Sequence, residues 1–335
     1  MGLQSLAFSD LFVAKNPAMS WFKATPDSLL VEPIPDDCAS ELIDLRRHLD
    51  IHDGNSDFRV DWTNAAGLRF RVKRIHIAES NIMFVCRRFR LLPGPLSSLG
   101  MPSVVASGLL ASDLLEGLVI FMGKAGSGKT TTATSFISER LNAYGGVCWT
   151  IENPIELPLQ GKHGKGWCYQ TEATTDADIG PAVRDMMRAT PNIIFIGELR
   201  DSNSVREAIT AATSGHLVVA TFHASDLLAG IARLVRLAND DTAASAIADA
   251  MRVAVHLSLK NATKTETNSS GFCIPDAKGT GTPARVLSVQ PIWFAGKAAD
   301  GLRSIVRDGD IHMLTSEVER QKRALMMNKP LFQDQ

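Results

Sequence analysis

The sequence lacks several features that would assign it to a class of protein at once. Its 35 Lys and Arg residues are balanced by 36 Asp and Glu residues, and the formal net charge is −1. Such a chain has no global field to draw it to an acidic membrane surface or to nucleic acid, so we expect no nucleic-acid partner. The five cysteines are widely spaced and include no CxxC pair. This pattern predicts a reduced, cytoplasmic protein and excludes a tetracysteine zinc site.

Long apolar runs are also missing. No stretch approaches the roughly 18 uninterrupted apolar residues that a membrane span needs. Nothing near the first residue has the charged start and apolar core of a signal peptide. The sequence therefore predicts a protein without a membrane span, which would work at a membrane by docking on partners there.

The length and patterning of the chain predict two domains. A chain of 335 residues can bury two separate cores. Its first hundred residues contain short runs typical of strands, including residues 29–31, and one stretch with helical apolar spacing at 38–49. Residues 91–102 carry three prolines and two glycines, which predicts a linker. We therefore expect a small N-terminal α+β domain over residues 1–98.

The rest of the chain follows a different pattern. Up to about residue 260, continuous apolar runs alternate with polar turns and helical stretches, as in α/β proteins whose parallel strands are buried on both faces. Residues 261–283 are rich in Thr, Gly, Ser and Asn and predict a loop. A closing helical stretch is expected over 314–327. We predict an α/β domain with a mostly parallel sheet over residues 99–335, ending in a helical segment.

A phosphate-binding loop is the most specific motif in the chain. The sequence GKAGSGKT begins directly after an apolar run and leads into a helical stretch. Its glycines allow backbone N–H groups to surround a β-phosphate, the lysine bridges the β- and γ-phosphates, and the threonine hydroxyl is placed for Mg²⁺. A glycine-rich turn without a ligand is the alternative, which the flanking strand and helix make the poorer explanation. The predicted nucleotide-binding residues are Gly123, Gly126, Ser127, Gly128, Lys129, Thr130 and Thr131.

Polar residues follow three further apolar runs, at 147–151, 193–196 and 217–221. Ligands of open parallel sheets bind beyond the carboxyl ends of the strands, so the groups after these runs are candidates for chemistry. Hydrolysis of a γ-phosphate needs a carboxylate to orient or deprotonate water, a second carboxylate for Mg²⁺, and a γ-phosphate sensor. The residues that could fill these roles are Glu156, Glu198 and His223.

Each of these residues taken alone is most often a solvated turn residue. Their joint placement beside an intact phosphate loop favours the catalytic interpretation. Thr130 and Glu198 are then the candidate metal ligands. His216, which precedes the last run, is explained equally well as a hydrogen-bonded histidine in a turn or as a catalytic residue.

The order of the motifs resembles that of a known family. GKAGSGKT, TIENPIE, PNIIFIGELRD and AATSGHLVVATFH are similar to the Walker A, aspartate-box, Walker B and histidine-box series of the secretion and pilus traffic ATPases. These are the hexameric motors of type II secretion, type IV secretion and type IV pili. The resemblance makes Glu156 the general base and Glu198 the Walker B glutamate, and it makes His216 and His223 the histidine-box pair.

The resemblance also implies properties that a single chain cannot show. It implies a RecA-like P-loop core with a PAS-like N-terminal domain, ATP and Mg²⁺ as cofactors, and a homo-hexamer that works with proteins of an inner-membrane secretion or pilus machine. In that family ATP lies between the two domains of a subunit, and N-terminal arginines close over the γ-phosphate, where they stabilise developing charge. Solvated arginines on a sheet face are the alternative at each candidate position. The candidates are Arg69, Arg71, Arg87 and Arg88.

Three positions depart from the family pattern. Asn153 and Asn192 stand where aspartates are usual, and Gln290 stands where a glutamate is usual. Each change removes a negative charge that we expect near the metal or its surroundings, which would weaken metal affinity. Because both catalytic glutamates remain, hydrolysis is expected to survive. The missing tetracysteine zinc module points toward retraction-type, conjugative or effector-secretion members.

Two other functions stay open on the sequence alone. The substituted asparagines are compatible with a nucleotide-binding ring scaffold that hydrolyses little ATP. A DNA-translocating RecA-like ATPase would use the same core, although the chain lacks a basic, aromatic-interleaved stripe. A GTPase is disfavoured, because no [NT]KxD motif follows the phosphate loop.

Overall fold

The computed structural model describes the chain in two compact units, Met1–Leu91 and Leu92–Gln335. The division lies a few residues before the boundary predicted from sequence. The reason is that Leu96, inside the predicted linker, is buried in the larger unit, where its N–H donates to Glu139 at 2.6 Å. The description excludes residues 1, 4, 7, 25–27, 53–55, 63–67, 79–80, 89–91, 240–241, 262–272, 275–284, 297, 330 and 332–335.

The smaller unit is an antiparallel sheet with one α-helix packed against it. Within its described residues, six strands pair in the order β3-β2-β1-β6-β5-β4. The elements are β1 Asp10–Val13, β2 Trp21–Lys23, β3 Glu32–Pro33, α1 Ala39–Asp50, β4 Asp57–Trp62, β5 Leu68–His76 and β6 Ile82–Arg88.

The core of this unit follows from the spacing of its apolar residues. Leu42, Leu45 and Leu49 lie on one face of α1 and are buried. They share a core with Phe70 and Phe84 of the sheet. The strand expected at residues 29–31 is wrong, since these apolar side chains are exposed and the short strand begins only after them.

The larger unit is built on a nine-stranded sheet, counted over its described residues. The order is β14-β15-β13-β7-β12-β11-β8-β10-β9, and the six neighbours from β13 to β10 are parallel. The strands are β7 Gly117–Gly123, β8 Gly146–Glu152, β9 Gly161–His163, β10 Gly166–Glu172, β11 Ile193–Ile196, β12 Leu217–His223, β13 Met251–Asn261, β14 Cys273–Ile274 and β15 Arg285–Trp293. The loop expected at 261–283 lies outside the described residues apart from Asn261, which ends β13, and the two residues of β14.

Helices cover both faces of this sheet. The helices are α2 Ser103–Leu109, α3 Lys129–Tyr144, α4 Ile179–Met186, α5 Ser202–Thr213, α6 Leu227–Ala238, α7 Ala243–Ala250, α8 Ala299–Arg307 and α9 Thr315–Met326. The side chains of β7 alternate between two cores, so Ile120 and Met122 pack with α4 to α8, and Val119 and Phe121 pack with α2 and α3. This burial on both faces explains the continuous apolar runs in the sequence.

The strand register brings several polar segments to one edge. His223 at the end of β12 pairs with Gly123 at the end of β7, and Ile196 of β11 pairs with Ile151 of β8. The segments that follow these parallel strands therefore share the carboxyl edge of the sheet. No helix in the described part of the chain combines the length and the apolar character that a bilayer crossing requires.

Candidate functional site

The phosphate loop joins β7 to α3 in a conformation that only glycine adopts easily. Gly128 has φ of 92° and directly precedes the first residue of α3. No side chain caps this fully described helix start. Its first backbone N–H groups are therefore available to an anion, and the helix dipole favours negative charge there.

Lys129 spans the phosphate loop. Its side-chain Nζ donates to the backbone oxygen of Lys124 at 2.9 Å, and the residue is only 9% exposed. Burial lowers the pKa of the ammonium, whereas the charges of Glu198 and Glu156 oppose that shift. Both glutamates therefore lie near enough to act on Lys129, and the loop, the lysine and the two carboxylates form one electrostatic site.

Ser127 supplies a further sign of a phosphate site. Its hydroxyl oxygen is buried and has no hydrogen-bond partner within the protein. Buried polar atoms are normally paired, because an unpaired one costs about 1–3 kcal/mol. A phosphate oxygen in the loop would satisfy this hydroxyl, so the residues present fit the predicted nucleotide.

Glu198 follows β11 and is held by an arginine. Its carboxylate accepts from Arg200 at 2.7 Å, and Arg200 also donates to Asp176 at 3.1 Å. Asn153 donates to the same aspartate at 3.0 Å. Gly197 lets the chain reach this position, because a Cβ there would lie 3.1 Å from the Cα of Glu152. The carboxylate is thus part of a polar network, with the side chain 27% exposed.

Glu152 is a buried acid that sequence reasoning gave no role. It is the last residue of β8 and only 2% exposed. Burial raises the pKa of its carboxyl to about 7, against hydrogen bonds from Gln170 and Thr150 that favour the charged form. In the sequence this residue is visible only as a glutamate directly after the threonine and isoleucine of an apolar run. Its partner Gln170 lies on another strand, so the sequence does not show that the two residues are neighbours.

The two histidines of the predicted pair lie at opposite ends of β12. His223 ends the strand beside Gly123 and is exposed. His216 precedes the strand, and its Nδ1 lies 3.1 Å from the backbone oxygen of Pro191. At about 3.3 Å per residue the strand separates them by roughly 20 Å. The structure therefore brings His223, and not His216, to the phosphate loop of this chain.

The four candidate arginines all belong to the sheet of the smaller unit. Arg69 and Arg71, on β5, form ion pairs of 3.0 Å with Asp61 and Asp57. Arg87 pairs with Asp10 at 2.8 Å and lies opposite Arg71 in the sheet. Each of these three side chains is solvent-accessible and carries one close acidic partner.

Arg88 differs from these three because it is partly buried. It donates to the backbone oxygen of Leu6 at 3.1 Å, and its guanidinium lies 5.2 Å from the centre of the Phe8 ring. Burial lowers the pKa of this arginine. These contacts give Arg88 a structural role within its own unit.

The three positions that depart from the family pattern lie in different parts of the larger unit. Asn153 lies at the carboxyl edge, within the network around Asp176. Asn192 precedes β11 at the opposite edge, where its Oδ1 accepts from the N–H of Val147 at 2.9 Å. The expectation that Asn192 lies near the metal is therefore wrong. Gln290 lies on β15, paired across from His256.

The described residues contain no group of three or more His, Cys, Asp or Glu side chains that could hold a metal ion by itself. Mg²⁺ commonly takes only one or two protein carboxylates and completes its shell with phosphate oxygens and water. The hydroxyl of Thr130 in the first turn of α3 and the carboxylate of Glu198 match that donor set.

Comparison with known proteins gives a family and several relatives. The family model described as "Type II/IV secretion system protein" matches residues 56–286. The type II secretion system protein HxcR of Pseudomonas aeruginosa is 38% identical over 145 residues, 42% of this chain and 29% of that protein. The type IV pilus ATPase PilU of the same organism is 29% identical over 254 residues, 75% of this chain and 60% of that protein. The chain thus spans less than two thirds of the length of either relative.

Solved structures are similar to this chain over 97% of its length. The ATPase DotB of Legionella pneumophila aligns with a TM-score of 0.69 at 20% identity and covers 97% of this chain and 89% of its own. The pilus retraction motor PilT with bound ADP aligns with a TM-score of 0.71 at 23% identity over the same fractions. These likenesses confirm the predicted fold class, a RecA-like P-loop core with a mostly parallel sheet and a smaller N-terminal α+β domain.

Proposed function

We propose, since the chain belongs to the type II/IV secretion system protein family, that it is a motor ATPase whose hydrolysis of ATP powers a type IV secretion, conjugation or type IV pilus machine. The observation that carries this proposal is the phosphate loop itself, where the buried Lys129 donates to the backbone oxygen of Lys124 at 2.9 Å and the buried hydroxyl of Ser127 has no partner. A buried lysine in such a loop, at the carboxyl edge of a parallel sheet and within electrostatic range of two carboxylates, suits the binding and cleavage of a nucleoside triphosphate.

Each residue has a role in this proposal. The N–H groups at the start of α3 and the hydroxyl of Ser127 bind phosphate oxygens, and Lys129 neutralises charge on the β- and γ-phosphates. Glu156, exposed and free to meet solvent, orients and deprotonates the attacking water. His223, beside the loop, senses the γ-phosphate.

The metal site in this proposal consists of Thr130 and Glu198. When bound there, Mg²⁺ would neutralise phosphate charge and polarise the bond to be broken. Arg200 shares the carboxylate of Glu198 with any such ion, because it donates to that carboxylate at 2.7 Å. We include Mg²⁺ dependence in the proposal because Thr130 and Glu198 match the donor set of a nucleotide-bound Mg²⁺.

The assembly and its place in the cell are also proposed from the family. We infer a homo-hexamer in the cytoplasm that reaches the inner membrane through proteins of the machine it serves. The arginines of the smaller unit are the candidates for closing over the γ-phosphate. Arg69, Arg71 and Arg87 are the stronger candidates because their guanidinium groups are accessible, whereas Arg88 is committed to local contacts.

Substitution of the loop lysine tests the proposal. Purified protein is expected to release phosphate from ATP only with Mg²⁺, and Lys129→Ala should lower the turnover by at least about 100-fold, because the γ-phosphate loses its main counter-charge. Lys162→Ala, which removes an exposed lysine on β9, is the matched control and should leave turnover unchanged. Unchanged turnover in Lys129→Ala would exclude the proposed site.

One observation favours a second function, a nucleotide-binding ring scaffold that hydrolyses little ATP. Glu198 is tied to Arg200, and Asn153 contributes no charge to the network around it. Nucleotide affinity and Mg²⁺-dependent turnover, measured on the same preparation, separate the two functions. Tight ATP binding without phosphate release, even with partner proteins added, would favour the scaffold.

A further inference from the structure

Glu152 is a buried carboxylate that the roles proposed above do not use. Its Oε1 accepts from the hydroxyl of Thr150 at 2.8 Å and from the side-chain amide of Gln170 at 2.8 Å. Glu152 is therefore tied to Gln170 of the neighbouring strand β10.

Gln170 uses every donor and acceptor of its side-chain amide. Its Nε2 donates to Glu152 and to the backbone oxygen of Leu157 at 2.9 Å. Its Oε1 accepts from the N–H groups of Leu159 at 2.6 Å and Gln160 at 2.7 Å. An amide offers two donors and two acceptor sites, so none is left over. The side chain thus holds the backbone that follows the general base.

These contacts define one structural unit, residues 153–160, which we name the base segment. Glu156 lies in its middle with an exposed side chain, and the backbone that follows it is bound by Gln170 at Leu157, Leu159 and Gln160. An exposed carboxylate on an unsupported turn would sample many orientations. The bonds from Gln170, whose amide is held by the buried Glu152, restrict that freedom.

We propose that Glu152 and Gln170 are positioning residues, which fix the backbone of the base segment and thereby aim the carboxylate of Glu156 at the phosphate loop. The effect that this inference predicts on turnover rests on the proposed function. The effect that it predicts on the backbone rests on the hydrogen bonds alone. A displacement of about 1 Å in a catalytic group can cost roughly 100-fold in rate. The pair acts through Glu156 and touches no reacting atom.

Gln170→Met tests the proposal, because methionine keeps the length of the side chain and removes all four hydrogen bonds. In the full-length protein we expect kcat to fall roughly 10- to 100-fold while ATP affinity changes by less than about 2-fold. Amide hydrogen exchange at Leu159 and Gln160 should become faster, since their acceptor is gone. A fall in kcat at unchanged ATP affinity, together with faster hydrogen exchange confined to Leu159 and Gln160, distinguishes a positioning role from general destabilisation.

Gln321→Met is the matched control. Gln321 is a buried glutamine of α9 whose side chain bonds both the N–H and the C=O of Trp293, at 3.0 and 3.2 Å. Its loss removes a comparable set of hydrogen bonds in the same unit and should lower stability. It should leave kcat and the exchange of the base segment unchanged.

The outcomes separate this inference from the proposed function. Unchanged exchange at Leu159 and Gln160 in Gln170→Met would overturn the inference, as would an unchanged kcat in an active protein. A wild-type protein that releases no phosphate would count against the proposed function, and the exchange measurement would still decide whether the pair holds the base segment. If Gln170→Met does not fold, Glu152→Gln gives a milder change that weakens the hold on Gln170, and it is expected to speed exchange at Leu159 and Gln160; unchanged exchange there would overturn the inference.

Discussion

At the scale of single residues, the site combines side chains of very different burial. Lys129 and Glu152 are buried, Glu198 is partly accessible and Glu156 is exposed. Burial lowers the pKa of Lys129 and raises that of Glu152, because it penalises the charged form of each. The accessible groups are the ones that can meet water and nucleotide.

The raised pKa of Glu152 predicts a pH-dependent stability. Its carboxyl has a pKa of about 7 in the folded protein, against 4.5 as the usual value. Between these values the folded state holds a proton that the unfolded state has lost, so stability falls as pH rises from about 4.5 to about 7. Glu152→Gln lacks this group. The unfolding free energy of the wild type should therefore decline relative to the variant, by at most about 3 kcal/mol.

Denaturant unfolding of both proteins between pH 4.5 and 8 measures this difference. All other titrating groups are shared, so their contributions cancel in the comparison. A constant difference across that range would show that folding does not raise the pKa of Glu152 above its usual value.

Arg200 supports a different residue-scale prediction. Its guanidinium joins Glu198 and Asp176 but is about half exposed, and such pairs contribute only about 0–1 kcal/mol. Arg200→Ala should therefore leave the unfolding free energy almost unchanged while lowering the Mg²⁺ concentration needed for half-maximal turnover, because the carboxylate of Glu198 becomes free. A Mg²⁺ titration of ATPase activity checks this, and an unchanged or raised requirement would contradict it.

At the scale of elements, α3 has a structural function besides carrying the loop lysine. Arg140, in its last turns, is 4% exposed and donates to the backbone oxygens of Leu109, Ala111 and Leu114 at 2.6 to 3.0 Å. These oxygens belong to the end of α2 and the turn that leads to β7. The planar guanidinium is suited to several acceptors at once.

Arg140→Lys should therefore be destabilising even though the charge is kept. A lysine cannot reach three acceptors in this geometry, and each buried carbonyl left unpaired costs about 1–3 kcal/mol, so we expect a loss of roughly 2–4 kcal/mol. Urea unfolding measures it. Arg206→Lys, at an exposed position of α5, is the matched control and should change stability by less than about 0.5 kcal/mol.

The elements also show how much of the structure could be predicted from the sequence. The parallel strands were predictable because burial on both faces gives continuous apolar runs. The phosphate loop was predictable because its residues are contiguous in the sequence. The Glu152 and Gln170 pair was not, since its members are on different strands and only folding makes them neighbours. The separation of His216 from His223 was hidden for a related reason, because a motif preserves the order of residues and not the length of the strand between them.

At the scale of the whole molecule, two compact units are joined between residues 91 and 92. Their number followed from chain length and from the change of apolar pattern. The boundary is harder to predict, because the proline-rich stretch that looks like a linker also supplies Leu96 to the larger core. We propose the larger unit as the ATPase domain.

Assembly is the property to measure at this scale. If the chain forms a ring, light scattering should give a particle of about six times the 36.3 kDa chain mass when ATP is present. Lys129→Ala, which should bind ATP poorly, serves as the control for nucleotide dependence. A monomer under all conditions would count heavily against a motor of this type.

The two-sided burial of β7 has a mechanical consequence. This strand lies between β13 and β12 and is anchored in a separate core on each face. The phosphate loop therefore begins at a strand that is packed on both faces. If the proposed ATPase changes shape during its cycle, we expect the movement in segments outside these two cores, with the phosphate loop as the fixed point.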